Sequence, residues 1–254
     1  MNRYTYNTNY KKYKRVQNIL NLKKIIFPPI SDNKINQLLI DNESIKYITF
    51  NTSAQQITNI ILENLTDFPC PDSKEEISWD FMSINDKTKH LIITEMTAGV
   101  GGNVLNFAKY FKYVNAIEIN KTRYDYLQNN IKLYNYDNVN CYNDNSIDLL
   151  INHNDLVQDI IFFDPPWGGK DYKLHNNLRL NFGSDSIENI CQELLNKSKA
   201  NMIVMKLPCN YDFEFMFTLL STRNIIKYSL DKMSIVIVKN FNNNNTNNIK
   251  IINQ

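Results

Sequence analysis

LIITEMTAGVGGNVLNFAKYFKYVNAIEIN runs from Leu91 to Asn120, and its reading decides the fold. LIITEM is a short, nearly continuous apolar run, the pattern of a buried strand. TAGVGGN follows as a turn with glycines at 99, 101 and 102. VLNFAKYF then has helical spacing, and YVNAIEI returns to a strand. Strand, turn, helix and strand in that order form one parallel βαβ unit.

The alternation continues outward. NKTRYDYLQNNIKLY (Asn120 to Tyr134) predicts a long helix, VNCYN a short strand and DIIFFD a further strand. IENICQELLNKSK reads as a helix, ANMIVMKLP as a strand and DFEFMFTLL as a helix. IIKYSL and SIVIVK close as a hairpin, joined too tightly for a crossover, so at least one strand runs antiparallel. The expected fold class is α/β: a doubly wound, mainly parallel, seven-stranded, Rossmann-like sheet over residues 91–240.

Upstream, residues 31–90 read as a small helical region. SDNKINQLLI fits a capped helix from Ser31. In SAQQITNIILENL, Ser53 and Gln56 make a capping box, and Ile57, Ile60, Ile61 and Leu65 share one face. Asp67 to His90 mixes prolines with charge runs and reads as a connection or insertion before the main domain. Residues 1–30 form a basic arm: Arg3, Lys11, Lys12, Lys14, Arg15, Lys23 and Lys24 interleave with Tyr4, Tyr6, Tyr10 and Tyr13, and no acid precedes Asp32. That composition suits either a solvated arm or a nucleic-acid contact. Residues 241–254 read as an Asn-rich mobile tail.

Bulk properties exclude more than they select. The 254 residues carry a formal charge of +2, so net charge argues for no partner. Four widely spaced cysteines give no zinc or disulfide pattern. No apolar run approaches ~18 residues. The expectation is a soluble, intracellular protein with no metal and no membrane partner; oligomeric state is left open. His90, His153 and His175 fit neither a triad nor a metal site.

Chemistry is expected at the carboxyl ends of the strands, near the point where strand order reverses. Gly99 and Gly101 allow a tight turn and close approach of a ligand, with Thr97 and Asn103 beside them in the same turn. Glu118 ends the next strand, nineteen residues after Gly99, a spacing suited to a ribose diol. A dinucleotide fingerprint would want a third glycine where Val104 stands. Glu95, at the end of the first strand, is wrong for a pyrophosphate and right for the cationic amino group of a methionine moiety. Asp144 with Asn145 can address an adenine amine. Three acids after three successive strands favour S-adenosylmethionine over NAD.

FFDPPWGGKDY (Phe162 to Tyr172) is the second cluster. Asp164-Pro165-Pro166-Trp167 resembles the [N/D/S]-P-P-[Y/F/W] signature of methyltransferases acting on an exocyclic base amine. Such an amine delocalises its lone pair into the ring and is a poor nucleophile. Two acceptors, the Asp164 carboxylate and the Pro165 carbonyl, can draw its hydrogens toward sp³ geometry. Proline fixes φ and offers no competing N–H. Trp167 supplies a face for the base, and stacking there contributes ~1–3 kcal/mol.

Taken together, EMTAGVGGN, NAIEIN, FFDPPWGGKDY and LPCNYD resemble the trimethylguanosine synthase family, from about Tyr47 to the closing hairpin. That resemblance implies a class I methyltransferase fold and, as substrate, the 7-methylguanosine cap of RNA. It implies that Trp167 stacks on the cationic base with cation–π attraction. It sets Tyr172 and Asn210 near the cap pocket, and Thr52 and Ser53 in a segment covering the cofactor. The family's usual Ser, Arg, Asp and Asp are replaced by Asp164, Cys209, Glu95 and Glu118. With Arg absent at 209, Lys170 and Lys206 become candidates for the cap phosphates, and the basic arm is another. The competing expectations are a guanine-N2 or adenine-N6 methyltransferase of rRNA, tRNA or DNA, and a non-catalytic cap- or RNA-binding module.

Overall fold

The computed structural model describes residues 18–71, 76–152, 156–241 and 249–253. Residues 1–17, most of the basic arm, lie outside them, as do His153 and the asparagine run at 242–248. In chain order the strands are β1 (Ile92–Glu95), β2 (Tyr113–Ile117), β3 (Val139–Tyr142), β4 (Ile160–Phe163), β5 (Asn181–Phe182), β6 (Asp185–Ser186), β7 (Met202–Pro208), β8 (Asn224–Ser229), β9 (Met233–Lys239) and β10 (Ile249–Asn253). The helices are α1 (residues 18–26), α2 (Asp32–Ile35), α3 (Asn51–Glu63), α4 (Glu76–Trp79), α5 (Ile84–Thr88), α6 (Val104–Phe107), α7 (Lys121–Tyr134), α8 (Ile187–Asn196) and α9 (Phe213–Leu219).

The main sheet has the order β10-β8-β9-β7-β4-β1-β2-β3, with β5 and β6 apart as a small hairpin. β1 pairs in parallel with both β2 and β4, so the chain moves out to β3 and then returns to the other side of β1. β9 is antiparallel to β7 and β8, as the short β8–β9 connection requires. The sheet has eight strands and not seven. The added strand, β10, lies in the stretch read as a mobile tail and pairs in parallel with β8. Its IKIIN sequence is a strand former embedded in asparagines, and Ile252 packs against the core.

Period-two alternation divides the strands between two cores. Ile160 and Phe162 of β4, Met202 and Val204 of β7, and Ile235 and Ile237 of β9 meet α3, α6 and α7 on one face. Ile161, Phe163, Ile203, Met205, Val236 and Val238 meet α8 and α9 on the other. Continuing the alternation to the carboxyl edge puts Glu95, Asp164 and Lys206 on the first face. Three ionisable groups therefore converge where the hydrophobic rows end.

Two local expectations are corrected. α3 begins at Asn51 behind Phe50, with no side-chain cap, so Ser53 lies inside the first turn and the Ser53–Gln56 box is not the start. Its apolar face is nonetheless buried at Ile57, Ile60 and Ile61. Ser31 precedes only the short α2 and makes no side-chain cap. By contrast, Asn120 does cap α7, accepting from the Arg123 N–H at 3.1 Å.

Among the described residues no helix is long and apolar enough to cross a membrane. No group of three or more His, Cys, Asp or Glu among them is placed to hold a metal.

Asn130 of α7 ties the N-terminal region to the glycine turn. It is 0% exposed. Its Oδ1 accepts from Leu39 N at 2.8 Å, and its Nδ2 donates to Leu39 O and Val100 O, each at 2.9 Å. Asn130→Ala would leave the buried Val100 carbonyl and the part-buried Leu39 N–H and carbonyl without this partner, at up to ~1–3 kcal/mol for the buried group and less for the two that water can reach. The expected net loss in urea unfolding is about 3 kcal/mol, and a loss below ~0.5 kcal/mol would mean the fastening is dispensable.

Candidate active site

The crevice opens between β1 and β4, where strand order reverses. On the β1 side, Gly99 has φ +55° and Gly101 φ +107°, values that favour glycine. A Cβ on Gly99 would meet nothing within 4 Å, so the turn faces open space there. Gly99 N–H donates to Glu118 Oε2 at 2.9 Å, and Asn120 N–H to Glu118 Oε1 at 2.8 Å. The carboxylate spaced nineteen residues from the turn is thus held against it by two backbone donors. Asn143 fastens the same strand end from β3, donating to Glu118 O at 2.8 Å.

Gly102 serves a different purpose. A Cβ there would lie 2.8 Å from Thr49 O and 2.9 Å from Ile48 Cγ1. The N-terminal segment therefore covers the turn through Ile48 and Thr49. Thr52 and Ser53, expected in a segment covering the cofactor, follow in the first turn of α3, Thr52 exposed and Ser53 half-buried.

Glu95 is 0% exposed. Its Oε1 accepts from Thr97 N at 3.2 Å and Thr97 Oγ1 at 2.9 Å. Its Oε2 is buried without a hydrogen-bond donor, and so is Asn103 Oδ1. Burial, reinforced by the nearby Asp164 carboxylate, pushes Glu95 up to about 8 against the hydrogen bonds from Thr97 and the influence of Asn103. Two buried acceptors lacking donors, one of them a carboxyl, fit an ammonium group. They would repel a phosphate. Asp144 is exposed beyond β3 and accepts from Asn145 N at 2.7 Å, while Asn145 Oδ1 accepts from Ile147 N at 3.0 Å. Both therefore cap the local turn.

On the β4 side, Thr97 Oγ1 accepts from Asp164 N at 3.1 Å and so joins the two clusters. Pro165 is buried and Trp167 half-buried. Gly168 and Gly169 follow at φ +85° and +78°, turning the chain back. Tyr172 meets the Trp167 ring edge-on at 5.2 Å and 75°. Asn210 Nδ2 donates to Tyr172 O and His175 O, each at 2.7 Å, so the loop after β7 anchors the loop after β4.

Lys206 is the correction within this cluster. Read from the sequence as a candidate for cap phosphates, it is buried, and its Nζ lies 2.6 Å from Asp164 Oδ2 and 2.9 Å from Thr49 Oγ1. The cause is the register: Phe162 pairs with Val204 and Phe163 with Met205, so the next row brings 164 beside 206. Burial raises the Asp164 pKa above the ordinary range, while Lys206 and the Trp167 indole N–H oppose the shift. Trp167 Nε1 itself is buried without an acceptor at hydrogen-bonding geometry. The side chain of Lys170 lies outside the described part of the chain.

Two residues went unread in the sequence. Ile119, next to Glu118, is 69% exposed, an apolar side chain left at the crevice rim. Lys227 of β8 holds its Nζ 4.2 Å above the Phe213 ring. Burial lowers its pKa, and neighbouring Cys209 opposes this. Neither has a motif to announce it.

An open sheet with this reversal, whose ligand side offers carboxyl acceptors where a dinucleotide needs phosphate donors, has the design of a class I methyltransferase. Within that class the chain belongs to the RNA cap guanine-N2 methyltransferase family, whose model matches residues 90–252. It is also 58% identical over 224 residues to uncharacterized protein L320 of Acanthamoeba polyphaga mimivirus, covering 88% of each chain. Among solved structures it is similar to a ribosomal protein L11 methylase from Lactobacillus delbrueckii subsp. bulgaricus. That match has 13% identity and a TM-score of 0.46, over 74% of this chain and 80% of that one. An rRNA methylase from Streptococcus thermophilus matches at 12% identity and TM-score 0.43, over 59% and 87%.

The raised Glu95 pKa has a stability consequence of fixed sign. Between the ordinary carboxyl range and about 8, the folded chain keeps a proton that the unfolded chain releases. Glu95 thus makes folding less favourable as pH rises through that window. Glu95→Gln should gain stability relative to wild type from about pH 5 to pH 8, measured by urea unfolding. A difference independent of pH would show that Glu95 is ionised in the folded protein.

Proposed function

We propose that this protein methylates the exocyclic N2 of the 7-methylguanosine cap of RNA, giving 2,7-dimethyl- or 2,2,7-trimethylguanosine. The observation that carries the reading is the end of β4. A half-buried carboxyl, a proline carbonyl and an aromatic ring braced by Tyr172 stand together there, across from acceptors lacking donors at Glu95 and Asn103. Family membership over residues 90–252 supports the cap as substrate.

S-adenosylmethionine, when bound, supplies a methyl group on an electron-poor sulfonium. Glu95 Oε2 and Asn103 Oδ1 would take its ammonium, and Thr97 and the turn at Gly99 and Gly101 would lie along it. Glu118 would accept from the ribose hydroxyls, and Asp144 with Asn145 would address the adenine. Ile119 would cover the adenine face and lose its exposure to water. Thr52 and Ser53 would close the site from α3.

The base is handled by the second half of the chain. Trp167 stacks on it, and Asp164 with the Pro165 carbonyl accepts from the two N2 hydrogens. That draws the nitrogen lone pair out of conjugation and aims it along the line of attack. The proton that N2 loses after methylation passes to Asp164 or to water, so no separate strong base is needed. Asn210 fixes the loop that carries Tyr172. For the phosphates, Lys227 beside Cys209 is a better-placed cation than the ion-paired Lys206, with Lys170 and the basic arm as further contributors.

One observation favours a second reading. The Lys206 ammonium lies 5.3 Å from the centroid of the Trp167 ring, beside the face meant for a cationic base. An uncharged guanine or adenine in rRNA, tRNA or DNA would meet less repulsion. The assay that separates the two offers m7GTP, m7GDP, GTP and oligonucleotides with labelled methyl donor. The cap reading expects m7GTP and m7GDP to be methylated at least ~100-fold faster than GTP, equivalent to roughly 3 kcal/mol. Equal rates for GTP would overturn it. Mass spectrometry of the product gives the number of methyls.

Trp167→Ala should abolish cap methylation while leaving the cofactor-dependent thermal shift in place; loss of both would make the ring a structural residue. Asp164→Ala should lower kcat by ~10²-fold or more with a smaller change in KM. An unchanged kcat would remove Asp164 from the mechanism.

A further inference from the structure

Lys206 has no role in the chemistry set out above, yet its surroundings are too specific for a stray surface cation. It lies on β7, is 7% exposed, and follows Val204 on the face that packs against α3 and α6. An ammonium in such a place must be compensated. Its compensation comes from Asp164 Oδ2 at 2.6 Å and Thr49 Oγ1 at 2.9 Å. Thr49 belongs to the segment lying on Gly102. One side chain thus links the reactive strand end, the cover over the glycine turn and the Trp167 ring.

We propose that Lys206 is a positioning residue that keeps Asp164 an oriented anion, so that its carboxylate accepts from the substrate amine. The proposal rests on Asp164 serving as the amine acceptor. That role requires a carboxylate, because a carboxylic acid would turn an O–H toward the N–H it should receive. Among the described residues, the charged groups facing Asp164 are few. Glu95 approaches from β1 and disfavours a second negative charge, while Lys206 approaches from β7 and favours it. The other described side chains that touch it, Thr97 and Trp167, are uncharged, as is Thr49 on the far side of Lys206. Two carboxyls and one ammonium leave room for one anion, and contact with Lys206 decides that it is Asp164. Glu95 then holds the proton until a cation binds beside it. The same ion pair fixes which Asp164 oxygen is engaged and therefore which way the other points.

The test reads the carboxyl directly. Aspartate labelled with carbon-13 at the carboxyl is incorporated, and the Asp164 signal is identified by its loss in Asp164→Asn. In the wild type this carbon is expected to report a carboxylate at the assay pH. In Lys206→Met its midpoint should move up by at least about one pH unit, and in Lys206→Arg by less than about half a unit. Turnover should follow: Lys206→Met lowers kcat about tenfold or more near neutrality, changes KM by less than about threefold, and recovers as pH rises. The double variant Asp164→Asn/Lys206→Met should be no slower than Asp164→Asn alone. An unmoved midpoint, a protonated Asp164 in the wild type, or losses that multiply in the double variant would each overturn the proposal. The wild-type titration holds even if Lys206→Met does not fold. If no cap nucleotide is methylated while the midpoint shifts as expected, the substrate reading fails and the role of Lys206 stands.

Discussion

Three charged side chains meet at the carboxyl edge of one face of the sheet, and the site is organised around how their charges are shared. Glu95, Asp164 and Lys206 end three adjacent apolar rows on β1, β4 and β7. A single buried carboxylate would be costly there and two would be worse. The one ammonium is paired to Asp164, while burial and the nearby Asp164 carboxylate push the Glu95 pKa up to about 8 and its Oε2 has no hydrogen-bond partner. In the proposed function, this unequal arrangement separates the place assigned to the cofactor's ammonium from the place assigned to the reacting amine. Thr97 holds the two apart and together, donating to Glu95 and accepting from Asp164 N.

The N-terminal region belongs to this arrangement through backbone contact more than through side-chain chemistry. Gly102 is where Thr49 and Ile48 come down on the turn, and any side chain there would push them away. Asn130 then closes the same assembly from α7, bonding both Leu39 and Val100. The helical region at 31–90 is thus fastened to the glycine turn at several points, and Lys206 reaches it through Thr49.

Much of this was legible in the sequence because it depends on local rules. The βαβ rhythm, the glycines at 99 and 101, and the acids at 95 and 118 fall at strand ends that periodicity alone locates. The misses depend on information that one segment does not contain. Lys206 beside Asp164 follows from the register of β7 on β4, which needs both strands paired. The contact of Thr49 with Gly102 joins segments more than fifty residues apart. β10 was hidden by the asparagines around it, and its placement is decided by the free edge of β8. α3 starts at Asn51 with no side-chain cap to announce it, so a capping motif two residues later misled the reading.

The reversal of strand order about β1 has one more consequence. In the function proposed above, the groups assigned to the cofactor come from the chain before the crossover to β4, and those assigned to the base come after it. Inheritance can therefore act on the two halves separately. A descendant could take a new acceptor by altering the second half alone, where Asp164 and Lys206 are ion-paired. The cofactor half would remain as a shared heirloom, read by whichever base-binding half follows it.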